Sequence, residues 1–189
     1  MRLKKWFVGL AIVIGVLFLL FQFVVWPMMK EETKKISPQK TSIYNQDGFD
    51  LTVNYSSPSK KGRVIFGELV PFDKVWRTGA NEPTTFTTAN AIKIIDKELP
   101  AGTYSLWTIP KSGSWNVIFN SEVADWGVTL ISGGKETTRN HESDVLQIEA
   151  PTSALMASQE EFLIDFIATD QLHLSLSWDN VMVMVPINK

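Results

Sequence analysis

Hydrophobic and polar positions divide the chain into two regimes. Residues 6–29 carry no charge, and Gln22 is the only strongly polar side chain among them. A helix rises about 1.5 Å per residue and a bilayer core is about 30 Å thick, so this run predicts a helix long enough to span. Trp6, Phe7 and Trp26 lie near its ends, where amphipathic rings favour a membrane interface. Pro27 is expected to close the run, where loss of a helix donor costs least.

Beyond residue 42 the period changes to two. Phe49, Leu51, Val53 and Tyr55 alternate with Asp50, Thr52 and Asn54. Leu172, Leu174, Leu176 and Trp178 alternate with His173, Ser175, Ser177 and Asp179, and Val181, Val183, Val185 and Ile187 extend the pattern. Such alternation predicts half-buried strands, here a terminal hairpin with its turn at Asp179 and Asn180. Shorter strands are expected over residues 64–66, 84–88, 91–95, 103–109, 115–120, 128–131, 145–150 and 162–168. Turn-forming clusters at residues 99–102, 111–114 and 132–135 separate several of them. Only residues 153–161 suggest a short helical turn. Roughly ten short strands point to an all-β fold, an antiparallel β-sandwich or related barrel preceded by one transmembrane helix. The expected organisation is a cytoplasmic tail (1–5), a transmembrane signal anchor (6–29), a charged linker (30–42) and an extracytoplasmic sandwich domain (43–189).

Charge bears on topology and partners. Arg2, Lys4 and Lys5 precede the helix, while Lys30, Lys34 and Lys35 follow it, so the positive-inside bias is slight. The short N-terminal tail adds weight to an exported C-terminal domain. The same basic start fits a cleaved signal peptide, but the apolar run exceeds a usual signal core and no small-residue cleavage site follows. An uncleaved, single-pass anchor in the cytoplasmic membrane is therefore expected. Without the three N-terminal basic residues, 15 of 18 remain against 20 acidic ones. A net charge near −5 gives the domain no electrostatic reason to seek nucleic acid. Zero cysteines removes disulfides, thiolate metal sites, cysteine nucleophiles and lipoprotein acylation together.

The densest concentration of special residues is Gly62-Arg63-Val64-Ile65-Phe66-Gly67-Glu68-Leu69-Val70-Pro71, continuing to Val75-Trp76-Arg77-Thr78-Gly79-Ala80-Asn81-Glu82. With residues 99–110, 115–120, Trp126-Gly127, 144–146 and the closing strands, this resembles the bacterial family called domain of unknown function 2911. The resemblance spans about residues 47–187. It implies an exported or envelope-associated bacterial protein, and it implies no reaction, ligand or catalytic residue.

Arg77, Asn81 and Glu82 form the strongest site candidate. Arginine presents a rigid cationic fork suited to carboxylate, phosphate or sulfate. Asn81 adds a donor and an acceptor, and Glu82 can accept or relay a proton. The bland alternative pairs Arg77 with Glu82 to pin a tight turn, with Gly79 or Asn81 at positive φ and Trp76 anchored in the core. Arg63 either joins the same anion pocket or guards a strand edge. Tyr104, Trp107, Trp115 and Trp126 offer a sugar-stacking platform or simple core filling; alternation puts Tyr104 and Trp107 on opposite faces. A glycosidase would need a second carboxylate facing Glu82, with Asp144, Glu149 and Asp165 as candidates.

No complete catalytic set is visible. His141 and His173 lack metal-ligand spacing, no Gly-x-Ser-x-Gly elbow occurs, and no metal or cofactor is implied. The reading is a membrane-anchored envelope module that binds a small polar or anionic ligand, a glycan or an envelope partner through Arg77, Asn81, Glu82 and Arg63. A carboxylate hydrolase acting on an envelope polymer and a purely structural protein are the alternatives.

Overall fold

The computed structural model describes residues 2–129 and 131–189, with side chains from Trp6 onward. It divides into two compact units, residues 1–36 and 37–189.

The first unit is helical: α1 (Arg2–Leu20), a π-helical turn (Phe21–Val25) and α2 (Trp26–Ile36). Residues 6–36 reach a mean hydropathy of 2.8 over the most apolar window, and none of that window is buried. One helix long and apolar enough to cross a membrane is thus present. Pro27 does not end it. A proline ring clashes with the carbonyl four residues back, here that of Phe23, and removes one donor. The π turn absorbs the misfit: the Trp26 N–H donates to Phe21 O, five residues back rather than four. The charged residues expected to begin the linker extend α2 by two turns, with side-chain bonds from Lys34 to Glu31 and Lys35 to Glu32.

The second unit is all-β. Nine strands run β1 (Gln39–Tyr44), β2 (Leu51–Ser56), β3 (Thr84–Thr88), β4 (Ile92–Ile94), β5 (Lys97–Leu99), β6 (Gly102–Pro110), β7 (Ser114–Asn120), β8 (Asp144–Ala168) and β9 (Leu172–Asn188). Their order is β1-β2-β3-β6-β7-β8-β9-β4-β5, and every pairing between them is antiparallel. The first part of β8 pairs with β7; the rest pairs with β9. The sheet curls until the second part of β8 lies beside β1, joined by Lys40 Nζ to Glu161 (2.6 Å) and Ser42 Oγ to Asp165 (2.6 Å). The result is the sandwich-like all-β fold that the alternation predicts.

In β2 the period-two pattern translates directly: Leu51, Val53 and Tyr55 are buried, while Thr52 and Asn54 keep some exposure. β6 is buried on both faces. Tyr104 and Leu106 enter the main core; Trp107, opposite Ile118 on β7, lies outside that cluster yet is 1% exposed. Ser105 Oγ donates to Glu122 O (2.6 Å), tying the segment after β7 over the outer face.

Three local expectations are corrected. Residues 153–161 form no helical turn; they lie within β8, because strand pairing on either side overrides a weak local preference. Residues 155–158 sit at a break in the register there. Asp179 is not a hairpin turn either. Its φ of 52° bends β9, which continues unbroken to Asn188 opposite that break. Residues 64–66 make only an isolated bridge, Phe66 with Val70, so Arg63 is not a strand-edge residue. The strand expected over 128–131 includes Leu130, outside the described residues; Val128 bridges Thr137 in a small hairpin.

Candidate functional site

The loop carrying Arg77, Asn81 and Glu82 is built outward from Trp76. Trp76 N–H donates to Thr108 O (2.7 Å) and Thr108 N–H returns to Trp76 O (3.0 Å), fastening the loop to β6. The indole stacks on Trp178 with ring centres 6.0 Å apart and meets the edges of Phe162 (4.9 Å) and Trp115 (5.9 Å). Such pairs add about 0.5–1.5 kcal/mol each beyond burial. Its Nε1–H donates to Gly79 O (3.0 Å), so the core residue also sets the curvature of the loop.

That curvature demands unusual backbone. Thr78, Gly79 and Asn81 have φ of 56°, 142° and 59°. At Gly79 a Cβ would meet Ser56 O at 2.7 Å, so only glycine fits. Thr78, β-branched in the left-handed region, costs on the order of 1–3 kcal/mol. Thr78 Oγ1 to Thr108 Oγ1 (3.1 Å) and Thr84 Oγ1 to Thr78 O (2.5 Å) hold it there. Asn81 is buried, and its Nδ2 donates to Ser37 O (3.4 Å) at the first residue of the β unit.

A second segment covers the loop. Gly127 N–H donates to Asn81 O (3.0 Å), and Thr138 N–H donates to Gly127 O (3.3 Å). A Cβ at Gly127 would collide with Arg77 Cδ and lie 2.9 Å from Asn81 O. The Arg77 stem therefore runs across bare backbone. This contact has no local signal in the sequence, although Gly127 itself stands out in the family-like pattern.

The charged heads stand apart from this well-bonded frame. Arg77 Nε and Glu82 Oε2 are enclosed and have no hydrogen-bond partner. Among the described residues neither head forms an ion pair, so the pinning Arg77–Glu82 bridge is not present. Both residues keep part of their surface exposed. Burial draws the Arg77 guanidinium below its ordinary value, because desolvation disfavours the charged form.

The other predicted residues go elsewhere. Arg63 spends its guanidinium on its own turn, with Nε to Lys60 O (3.0 Å) and Nη2 to Ser59 O (2.6 Å). Asp144 is held by Arg139 and by Asn120 Nδ2 (2.8 Å). Glu149 is engaged by Ser114, and Asp165 by Ser42. None of the three candidate carboxylates bonds to Glu82. Tyr104, Trp107 and Trp115 are buried in packing. His173 is bonded at Nδ1 to Gln171 O (3.0 Å), His141 begins an exposed 3-10 turn, and no metal-holding cluster occurs among the described residues.

No curated protein and no solved structure matches the chain. A family profile does, over residues 37–187, the whole β unit but for its last two residues. The chain belongs to the family described as protein of unknown function (DUF2911).

Proposed function

We propose that this is a single-pass, N-terminally anchored protein of the bacterial envelope whose exported β domain binds a small polar, anion-bearing ligand without transforming it. The bilayer is its partner through the helix, and the 77–82 loop is its recognition element. One observation carries the reading: a frame that satisfies nearly every polar group around it leaves Arg77 Nε and Glu82 Oε2 enclosed and unbonded. Natural interiors bond the great majority of such atoms, and an exception calls for a reason. A ligand that supplies the missing partners is that reason. The nonlocal contact with Gly127 holds the Arg77 stem in place before binding, which lowers the ordering cost of recognition.

The test is binding by the full chain in detergent micelles, screened by ligand-observed NMR against small carboxylates, phosphate, amino acids and envelope-glycan fragments. A ligand should bind wild type and lose most affinity in Arg77→Gln. Equal binding by that variant removes the site assignment, and turnover of any glycan fragment removes the non-catalytic reading. Protease protection of the helix in intact bacterial membranes, with cleavage of the β domain only from the outer side, checks the anchor.

A further inference from the structure

Resting on the anchored topology proposed above, and not on what the 77–82 loop binds, we infer that one end of the β unit docks on the surface of its own bilayer, against anionic lipid headgroups. It is the end at which the chain enters, and strand register defines it. β1 begins at Gln39 opposite Ser56, where β2 ends; β6 ends at Pro110, and β7 begins at Ser114 opposite Pro151 of β8. Ser57 N–H donates to Pro38 O (2.8 Å), so residues 57–74 leave β2 beside the entry point, and Asp73 N–H joins them to Pro110 O (2.9 Å). The register break at residues 155–158 lies at the same end, tied in by Lys60 Nζ to Ser158 Oγ (3.4 Å). The turn from β8 to β9, with Asp170 exposed, lies at the other end, where Phe166 packs on Tyr44.

The surface at the entry end combines exposed apolar groups with cations. Met156 stands fully in solvent, and Val64, Leu69 and Phe72 are 53%, 44% and 40% exposed. Residues 57–74 carry Lys60, Lys61, Arg63 and Lys74 against Glu68 and Asp73, in a β unit with twelve basic and eighteen acidic residues. Lys60 is spent on Asp179, but among the described residues Lys61, Arg63 and Lys74 form no ion pair. The neighbouring carboxylates are engaged, Glu160 by the Lys61 N–H (2.8 Å) and Glu161 by Lys40. Apolar side chains set among cations gain both from burial in a headgroup layer and from attraction to anionic lipid. The rest of the unit is net negative and is repelled by the same surface, which selects this end.

Chain length keeps the two surfaces together. Residues 30–36 alone separate the apolar run from Ser37. Seven residues reach about 10 Å as helix and at most about 25 Å extended. The entry end therefore stays close to the bilayer, and docking is an intramolecular event at high effective concentration.

The chain has no cysteine, so single spin labels report cleanly. Met156→Cys, Val64→Cys, Asp170→Cys and Ile14→Cys are labelled in the full chain and reconstituted into vesicles of phosphatidylcholine, alone or mixed with phosphatidylglycerol. Accessibility to oxygen and to a water-soluble relaxation agent places each label in lipid or water. In the mixed vesicles the labels at residues 156 and 64 should become shielded from water, while that at residue 170 stays exposed. Lys61→Glu and Lys74→Glu should each shift the docked-to-undocked ratio by at least about fivefold. Salt at 1 M, where screening acts within about 3 Å, should release the docked state. Water-exposed labels at 156 and 64 in every composition, with the label at 14 in lipid, overturn the docking and leave the anchor standing. A label at 14 exposed to water overturns the anchor reading and the docking with it. Shielding that is equal in both lipid compositions, or equal at residue 170, overturns the charge-directed face.

Discussion

Arg139 and Arg77 are both drawn into the protein, and they are treated in opposite ways. Arg139 grips Asp144 through both Nε and Nη2, and the same carboxylate accepts from Asn120. The side chains of Arg139 and Asp144 are 13% and 19% exposed, so a largely desolvated cation meets a bonded anion and the segment after β7 is fastened to β8. Arg77 has a carboxylate five residues along its own loop and makes no bond to it. The fold can clearly satisfy an arginine. At residue 77 it holds the stem and leaves the guanidinium Nε unbonded, the difference on which the proposed binding role rests.

The contrast can be broken most severely at the shared support. Trp76→Ala removes the aromatic ring that anchors the Arg77 loop, and a large-to-small change of this kind should cost about 3–5 kcal/mol in urea unfolding. A loss under about 1 kcal/mol would mean that the loop is held by its backbone bonds alone. Next, Asp144→Ala strands Arg139 and Asn120 and should cost about 2–3 kcal/mol, somewhat below a fully buried pair because both partners keep some water. Arg77→Met sharpens the comparison from the other side. It keeps the stem over Gly127 and discards an unmatched charge, so stability should stay within about 1 kcal/mol of wild type or rise. A loss comparable to that of Asp144→Ala would place Arg77 with Arg139 as architecture.

The smallest effect is a pH effect at Asp179, where Lys60 and Ser158 bond the carboxylate. The Lys60 bond, with help from Ser158, holds the Asp179 carboxyl below its ordinary value. A depressed folded value means that its contribution is present above the unfolded carboxylate range, near pH 4, and is lost as pH falls through the lower folded value. Asp179→Asn should therefore lower neutral-pH stability slightly and flatten the acid limb of the stability curve. An unchanged acid limb would show the Lys60 contact to be idle.

What was legible in the sequence follows physical range. Period-two alternation marks β2 and the second half of β9, where one-sided burial writes itself into neighbouring residues. β6, buried on both faces, shows Leu106-Trp107 side by side and hides which face is which. The bend at Asp179 reads locally as a turn, and only the partner strand β8, opposite it, keeps β9 whole. At the candidate site, Trp76 as anchor and a positive φ at Gly79 or Asn81 follow from residue type; that both take it, and β-branched Thr78 with them, does not. The Arg77–Glu82 bridge looked reasonable from charge and proximity; its absence depends on where two flexible heads settle. Gly127 beneath the Arg77 stem joins positions 50 residues apart, a distance across which spacing rules say nothing.

The long pairing of β8 with β9 also has a temporal meaning. Thr169 N–H bonds to Gln171 O, and the ladder starts at Ala168 opposite Leu172. Each further pair adds to a loop that is already closed, so the entropy of bringing distant segments together is not faced anew. β1 and β2 must instead wait for β8 across more than a hundred residues of chain, and contacts of that separation are slow to form. Chain topology therefore predicts that the β8–β9 hairpin forms ahead of the chain's least local contacts, those that bring β1 against β8.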